Sequence, residues 1–332
     1  MSYPKIELHV HLEGTVRPKT LLEIARRNGY ALPVDTPEEV ASLYRFRDFA
    51  GFLKAFELTA YALERADDFR RILVEYAEEA ARHGALYLEG IFTPGLWRDL
   101  DTDEVFGGYC EGAEEARDRF DIEIRLTPDI PRVYSLEEAH RVVDFALKYR
   151  DRGVVGIGLA GLETHPPEPY APVFERARAE GLGSVPHAGE HEGPASIRGA
   201  LDALGASRIR HGIRSVEDPE LLQELAERRV VLDVCPISNV RTRAVPSLNE
   251  HPLARLVAAG AVCSISTDDP AIFGTDLSTE YAAATSLVPD PRGFYEAGVE
   301  GALCDEDTRT RLREVGGTFE WDAVRAAEVE VP

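Results

Sequence analysis

The sequence contains no apolar run of 18 residues, and it opens MSYPKIELH, without a basic segment followed by an apolar one. Neither a membrane-spanning helix nor an export leader is therefore expected, and the protein is placed in the cytoplasm. Cysteine is scarce: Cys110, Cys235, Cys263 and Cys304 lie far apart with no C-x-x-C pair. That leaves no disulfide framework and fits a reducing compartment. Positive charge is also short. With 37 Lys and Arg against 59 Asp and Glu, a net charge of -22 and a pI near 4.8, most of the surface would repel nucleic acid and anionic membranes. A Walker-type glycine loop is missing, and so is the P-C-x-x-C of the small zinc deaminases. Small-molecule chemistry without a nucleotide cofactor remains.

The chain has 332 residues, a length that suits one α/β barrel domain of ~250 residues with insertions. Strand-like runs fall at residues 5–12, 85–93, 121–128, 154–160, 182–188, 208–212, 229–235 and 261–267. Amphipathic segments separate them. One is "DDFRRILVEYAEEAARHG", ending on Gly84; another is "SLEEAHRVVDFALKYRDRG", which opens with Ser135 and Glu138 at capping-box spacing and ends on Gly153. Eight strands alternating with helices predict a (β/α)8 TIM barrel spanning residues 1–332. Residues 20–68 are too long for a single crossover and predict a helical insertion after the first strand, at the mouth where such barrels bind substrate. Its Phe46, Phe49, Phe52 and Phe56 share a helical stripe that reads as core. Residues 289–332 predict an acidic C-terminal helical extension packed outside the barrel.

The opening strand carries the first chemical signal. In "PKIELHVHLEG" a period of two puts Ile6, Leu8, Val10 and Leu12 on one face and Glu7, His9, His11 and Glu13 on the other. With the apolar face against helices, His9 and His11 point into the barrel near the strand's C-terminal end, where two alternate imidazoles can share one metal ion. Three other strand ends carry matching groups: His187 and Glu190 in "VPHAGE", His211 in "RIRHG", and Asp268 and Asp269 in "SISTDDP". Of nine histidines, four thus sit at the face that carries chemistry in barrel enzymes. The other five, His83, His140, His165, His191 and His251, read as structural or solvated. Three histidines and a carboxylate without thiolate suit zinc, with iron or manganese as alternatives, and a water bound there would drop its pKa from ~15.7 toward ~7. Glu190, His211 and one aspartate are left for proton traffic.

"ELHVHLEG", "GLAGLE", "HAGE", "RIRHG" and "STDDP", in this order and spacing, resemble the adenosine and adenine deaminase family of metal-dependent amidohydrolases from about residue 4 to about 281. The resemblance implies a purine nucleoside aminohydrolase with one Zn2+ per chain, His9, His11, His187 and Asp268 binding the metal. It further implies that Glu190 protonates N1 of a 6-aminopurine and that His211 orients or deprotonates the attacking water. Asp269 would hold that water and N7, and the Gly161 backbone N–H would meet N3. Independently of any family, C6 of an aromatic purine resists attack until a proton at N1 lets the ring accept electrons, which calls for an acid with a raised pKa.

Two features depart from the adenosine enzymes. Glu13 replaces the aspartate of H-x-H-x-D-G, whose place is near the ribose 5'-hydroxyl along with His11, and "CPISNV" at 235–240 resembles the S-N form of adenine- and modified-nucleoside-specific relatives. Arginines also gather after the strands: Arg17, Arg214, Arg241 and Arg243. In so acidic a chain, cations rimming the pocket suggest an anionic 5'-extension on the substrate, such as the benzoate of 6-aminodeoxyfutalosine, a menaquinone-pathway intermediate that some family members deaminate. Arg210, adjacent to His211, is expected to point away from the barrel interior. The alternatives are an adenine deaminase, or an amidohydrolase cutting a non-purine C–N bond.

Overall fold

The computed structural model describes residues 3–94 and 100–324. β1 (Lys5–His11), β2 (Ala85–Phe92), β3 (Glu123–Pro131), β4 (Gly156–Ala160) and β5 (Gly183–Ser184) form one parallel sheet in that order. β6 (His187–Ala188), β7 (Arg208–His211), β8 (Val231–Val234) and β9 (Val262–Ile265) form a second. β5 and β6 are the two halves of the strand expected at 182–188, interrupted at Val185 and Pro186, because proline has no N–H for the ladder. The segment still keeps its place: Val185 N–H donates to the Ile157 carbonyl at 3.0 Å, and the Pro186 carbonyl accepts from Arg210 N–H at 3.0 Å. At the other seam Val10 pairs in parallel with Asp268. There His11 N–H donates to the Asp268 carbonyl at 2.7 Å and Asp268 N–H to the His9 carbonyl at 3.0 Å. First and last strands thus meet, giving the eight strand positions of a (β/α)8 barrel.

The expected helices form for the expected reasons. Ser135 and Glu138 make a reciprocal capping box at the start of the helix Leu136–Lys148, and Gly153 ends the following short turn with a φ of 101°. Helices Pro18–Asn28, Pro37–Leu43 and Phe49–Ala60 fill the segment after β1 before the helix Ala66–Arg82 leads into β2. Beyond β9 the helix Pro291–Gly301 packs against β1, with Gly298 against Ile6 and Gly301 against Leu8 and the Arg208 side chain. Residues 325–332, the end of the expected C-terminal extension, lie outside the described residues.

The barrel interior is more ionic than the branched aliphatic layers usual in this architecture. Arg208, fully buried, donates to Asp233 and Glu89 at 2.6 Å each and to the Leu8 carbonyl at 3.1 Å. One layer higher, Arg210 is paired with Asp129 and donates to Thr127 Oγ1 at 2.7 Å. Burying such charges is tolerable only with this degree of pairing. The expected outward orientation of Arg210 is therefore wrong, and the reason is local. Strict alternation would send Arg210 and His211 to opposite sides, but His211 has a φ of 67°, so the strand end swivels and both face inward.

Candidate active site

The C-terminal ends of β1, β6, β7 and β9 bring His9, His11, His187, His211 and Asp268 together. His187 Nε2 lies 3.1 Å from His9 Nε2 and 3.2 Å from His11 Nε2. Asp268 Oδ1 lies 3.2 Å from His9 Nε2 and 3.4 Å from His11 Nε2. These separations match the edge of a ligand shell: nitrogen and oxygen atoms ~2.0–2.1 Å from one ion in a tetrahedral arrangement sit about 3.3 Å apart. The donor set therefore fits a divalent metal ion. His187 Nδ1 lies 3.2 Å from the Leu159 carbonyl, an acceptor that keeps the proton on Nδ1 and the Nε2 lone pair turned to the cluster. Behind it, 3.5 Å from Nδ1, stands Asp129, held by Arg210.

Two histidines compete for membership of that shell. The ligand atoms of His9, His187, His211 and Asp268 all lie within 4.8 Å of one another, a group that includes His211 and omits His11. The carboxylate of Asp268 separates them. Its Oδ1 faces His9 and His11, whereas Oδ2 accepts from Ser238 Oγ at 2.6 Å and lies 3.9 Å from His211 Nε2. His211 sits on the open side of the cluster, 3.5 Å from Glu190 Oε2.

Electrostatics divides the acids. Burial pushes Asp268 up, but the imidazoles of His9, His211 and His11 around it prevail and hold it well below the usual carboxylate range. Burial, then the charge of Asp268, raises both Glu190 and Asp269 well above it. Burial likewise lowers His11 to about 3, against the opposing pull of Asp268, and lowers His187 and His211. Burial thus works against ionisation of Glu190 and Asp269 and against protonation of His11, His187 and His211, around the one carboxylate, Asp268, that is held low.

Glu190 is aimed by groups around it. Glu163, from the "GLAGLE" run, accepts from the backbone N–H groups of Gly189, Glu190 and His191 at 2.6, 2.8 and 2.9 Å and from Ser196 Oγ at 2.5 Å. Gly189 has a φ of 70°, which curls this turn so that three consecutive N–H groups converge on one carboxylate. Thr242 Oγ1 donates to Glu190 Oε1 at 2.9 Å. Asp269 needs a different accommodation: a Cβ at Gly14 would lie 2.0 Å from Asp269 Oδ1, so only glycine lets that carboxyl pass.

A cavity of about 920 Å³, counting its open mouth, connects these groups. His11, Gly161, His187, Glu190, His211, Asp268 and Asp269 line it; Phe49, Phe52, Leu53 and Phe56 of the insertion form an apolar wall. The phenylalanine stripe is therefore a pocket wall, with Phe56 5.9 Å from the His11 ring, while Phe46 precedes the helix and packs on Phe52 and Phe273. His191 also lines the cavity. Three expected substrate contacts do not line this cavity. Glu13 is buried outside the lining, accepting from Thr93 N–H at 2.8 Å, and burial raises it to about 8. Arg241 and Arg243 are exposed on either side of inward-facing Thr242, Arg241 with its guanidinium 5.5 Å from the Phe46 ring. Arg17 pairs with Glu75 and Arg214 with Glu217.

Sequence reasoning passed over Glu163, Asn239, Thr242 and Asp129, and read His251 as structural or solvated. Glu163 and Asn239 did lie inside quoted motifs, but their roles depend on partners 26 or more residues away for Glu163 and 28 away for Asn239.

Comparison with known proteins agrees with this geometry. The adenosine deaminase family matches residues 4–315. An aminodeoxyfutalosine deaminase from Acidothermus cellulolyticus is 49% identical over 98% of this chain and 94% of its own. The adenine deaminase of Arthrobacter aurescens superposes with a TM-score of 0.91 at 31% identity, covering 97% of this chain and all 100% of that one. An amidohydrolase from Burkholderia ambifaria solved with bound Zn gives 0.90 at 29% identity, over 99% and 93%. The chain belongs to the adenosine deaminase family of metal-dependent amidohydrolases, hydrolases that deaminate purines.

Proposed function

We propose that this protein hydrolytically deaminates 6-aminodeoxyfutalosine, a 6-aminopurine nucleoside with an anionic 5'-extension, to the 6-oxopurine and ammonia, as a step of menaquinone synthesis in the cytoplasm. The observation that carries the chemistry is the placement of Glu190, a buried carboxyl with a raised pKa, in one cavity with the His9, His11, His187 and Asp268 cluster. The substrate assignment rests on the near full-length similarity to the Acidothermus aminodeoxyfutalosine deaminase.

In this reading His9, His11, His187 and Asp268 hold Zn2+, with Fe2+ or Mn2+ as substitutes. A bound divalent ion supplies Lewis acidity that lets water lose a proton near neutral pH. Glu190 gives its proton to N1 as C6 is attacked, and Thr242 keeps the other oxygen occupied. His211 and Asp269 hold the attacking water from two sides, Asp269 also reaching N7, and Gly161 N–H meets N3. Phe49, Phe52 and Phe56 exclude bulk water, which strengthens every charge interaction inside. The substrate's anionic end leaves the mouth past Arg241 and Arg243. A second reading, adenine deamination, is favoured by the fold match to the Arthrobacter enzyme.

Side-by-side turnover of adenosine, adenine, 5'-deoxyadenosine, 5'-methylthioadenosine and 6-aminodeoxyfutalosine tests this. The anionic nucleoside should turn over fastest. Arg241→Ala or Arg243→Ala should lower its kcat/KM roughly fivefold, the scale of an exposed charge contact, and leave 5'-deoxyadenosine unaffected. Preference for adenine would establish the second reading, and unchanged kinetics in both variants would remove the arginines from recognition.

A further inference from the structure

Behind His211, away from the cavity, runs a hydrogen-bonded chain that the chemistry above does not use. Leu253 backbone N–H donates to His251 Nδ1 at 3.1 Å. His251 Nε2 lies 3.1 Å from Asn239 Oδ1, and Asn239 Nδ2 lies 3.2 Å from His211 Nδ1. Asn239 and His211 are 0% and 1% exposed and His251 5%, so water does not substitute for these partners.

Each link in the chain has only one possible direction. A backbone N–H can only donate, so His251 Nδ1 is an acceptor and the ring's proton is on Nε2. That proton needs an acceptor, so the Asn239 oxygen faces His251; the flipped amide would set NH2 against N–H. The Asn239 amino group therefore faces His211 Nδ1, which must accept. A neutral imidazole that accepts at Nδ1 carries its proton at Nε2. Burial, which lowers His251 to about 4, keeps that ring neutral as the chain requires.

We propose that Asn239 and His251 are positioning residues that fix His211 as the Nε2–H tautomer, so that it presents a donor, not a base, to the attacking water. This rests on the deaminase reading for what His211 faces. Nε2 points between Glu190 Oε2, 3.5 Å away, and Asp268 Oδ2, 3.9 Å away. From there the N–H takes a lone pair of the attacking oxygen and turns the other toward C6. Both tautomers are neutral, so nothing here depends on His211 gaining a proton from solvent.

The test is a long-range proton–nitrogen NMR correlation on zinc-loaded protein labelled with 15N-histidine, the His211 ring identified by its loss in His211→Gln. A protonated, pyrrole-type Nε2 with a pyridine-type Nδ1 is expected. Asn239→Asp, which offers an acceptor to Nδ1, should exchange the two signals and lower kcat roughly 10²-fold, the scale of one lost oriented donor, with KM changed less than threefold. His251→Gln, which can still accept from Leu253 and donate to Asn239, should keep the wild-type pattern; His251→Leu should not. A pyridine-type Nε2 in the wild-type protein overturns the proposal, as does an Asn239→Asp variant with the wild-type pattern and kcat. Should the aspartate variant not fold, the wild-type pattern alone decides. Failure of the deaminase reading shows separately, as absence of 6-aminopurine turnover by the wild-type enzyme.

Discussion

Glu190→Gln is expected to lower kcat by about 10³-fold while leaving KM within a few fold, since a positioned acid contributes 10²–10⁴-fold. The amide keeps the size of the carboxyl and can still accept from Thr242, whose hydroxyl donates to Glu190 Oε1 at 2.9 Å. Its N–H can still donate to N1, so ground-state binding survives. It cannot release a proton as C6 is attacked, and that loss falls on the transition state alone. The pH profile provides an independent reading. Burial, then Asp268 and Glu163, raise Glu190 well above the ordinary range. The active, protonated form is fully present below that raised pKa and disappears as pH climbs through it, so wild-type kcat/KM should fall on the alkaline side. The residual activity of Glu190→Gln should lack that limb. A variant within tenfold of wild type would remove Glu190 as the acid.

The second large effect lies in the proposed metal ligands. His187→Ala should leave purified protein with well under one metal ion per chain and reduce turnover on the order of 10⁴-fold, because the lost Lewis acidity is worth several kcal/mol of barrier. His187 meets both His9 and His11 through one nitrogen, at 3.1 and 3.2 Å, so its loss opens the cluster at its centre. Chelation of the wild-type protein should produce the same loss, reversed by Zn2+, and lower the melting temperature, since an ion that binds only the folded chain stabilises it by mass action. Metal content by elemental analysis and melting curves with and without chelator measure both. Full activity in metal-stripped protein would contradict the assignment.

Much of this site could be read from the sequence because it lies at strand ends, where period-two alternation tells which side chains point inward. His9 and His11 are legible that way, and so is the barrel, from strands and helices in turn. Alternation misleads where the backbone leaves the extended region. His211 and Asp268 have φ values of 67° and 65°, and so the inward set at the end of β7 is both Arg210 and His211. A run of apolar rings, Phe49, Phe52 and Phe56, looks the same in sequence whether it covers core or cavity; only the approach to His11 and His191 distinguishes them. The carboxylate of Glu163 and the amide of Asn239 were invisible for another reason. Each acts through hydrogen bonds to a distant turn or ring, and no local pattern records such a closure.

The central claim is that water replaces the 6-amino group of a purine in this cavity. The most direct measurement is turnover of 6-aminodeoxyfutalosine in 18O-labelled water by the metal-loaded protein, with ammonia and product analysed together. One 18O in each 6-oxopurine and one ammonia per product are expected. No ammonia and no labelled product, from this nucleoside or from the other 6-aminopurines, would contradict the account.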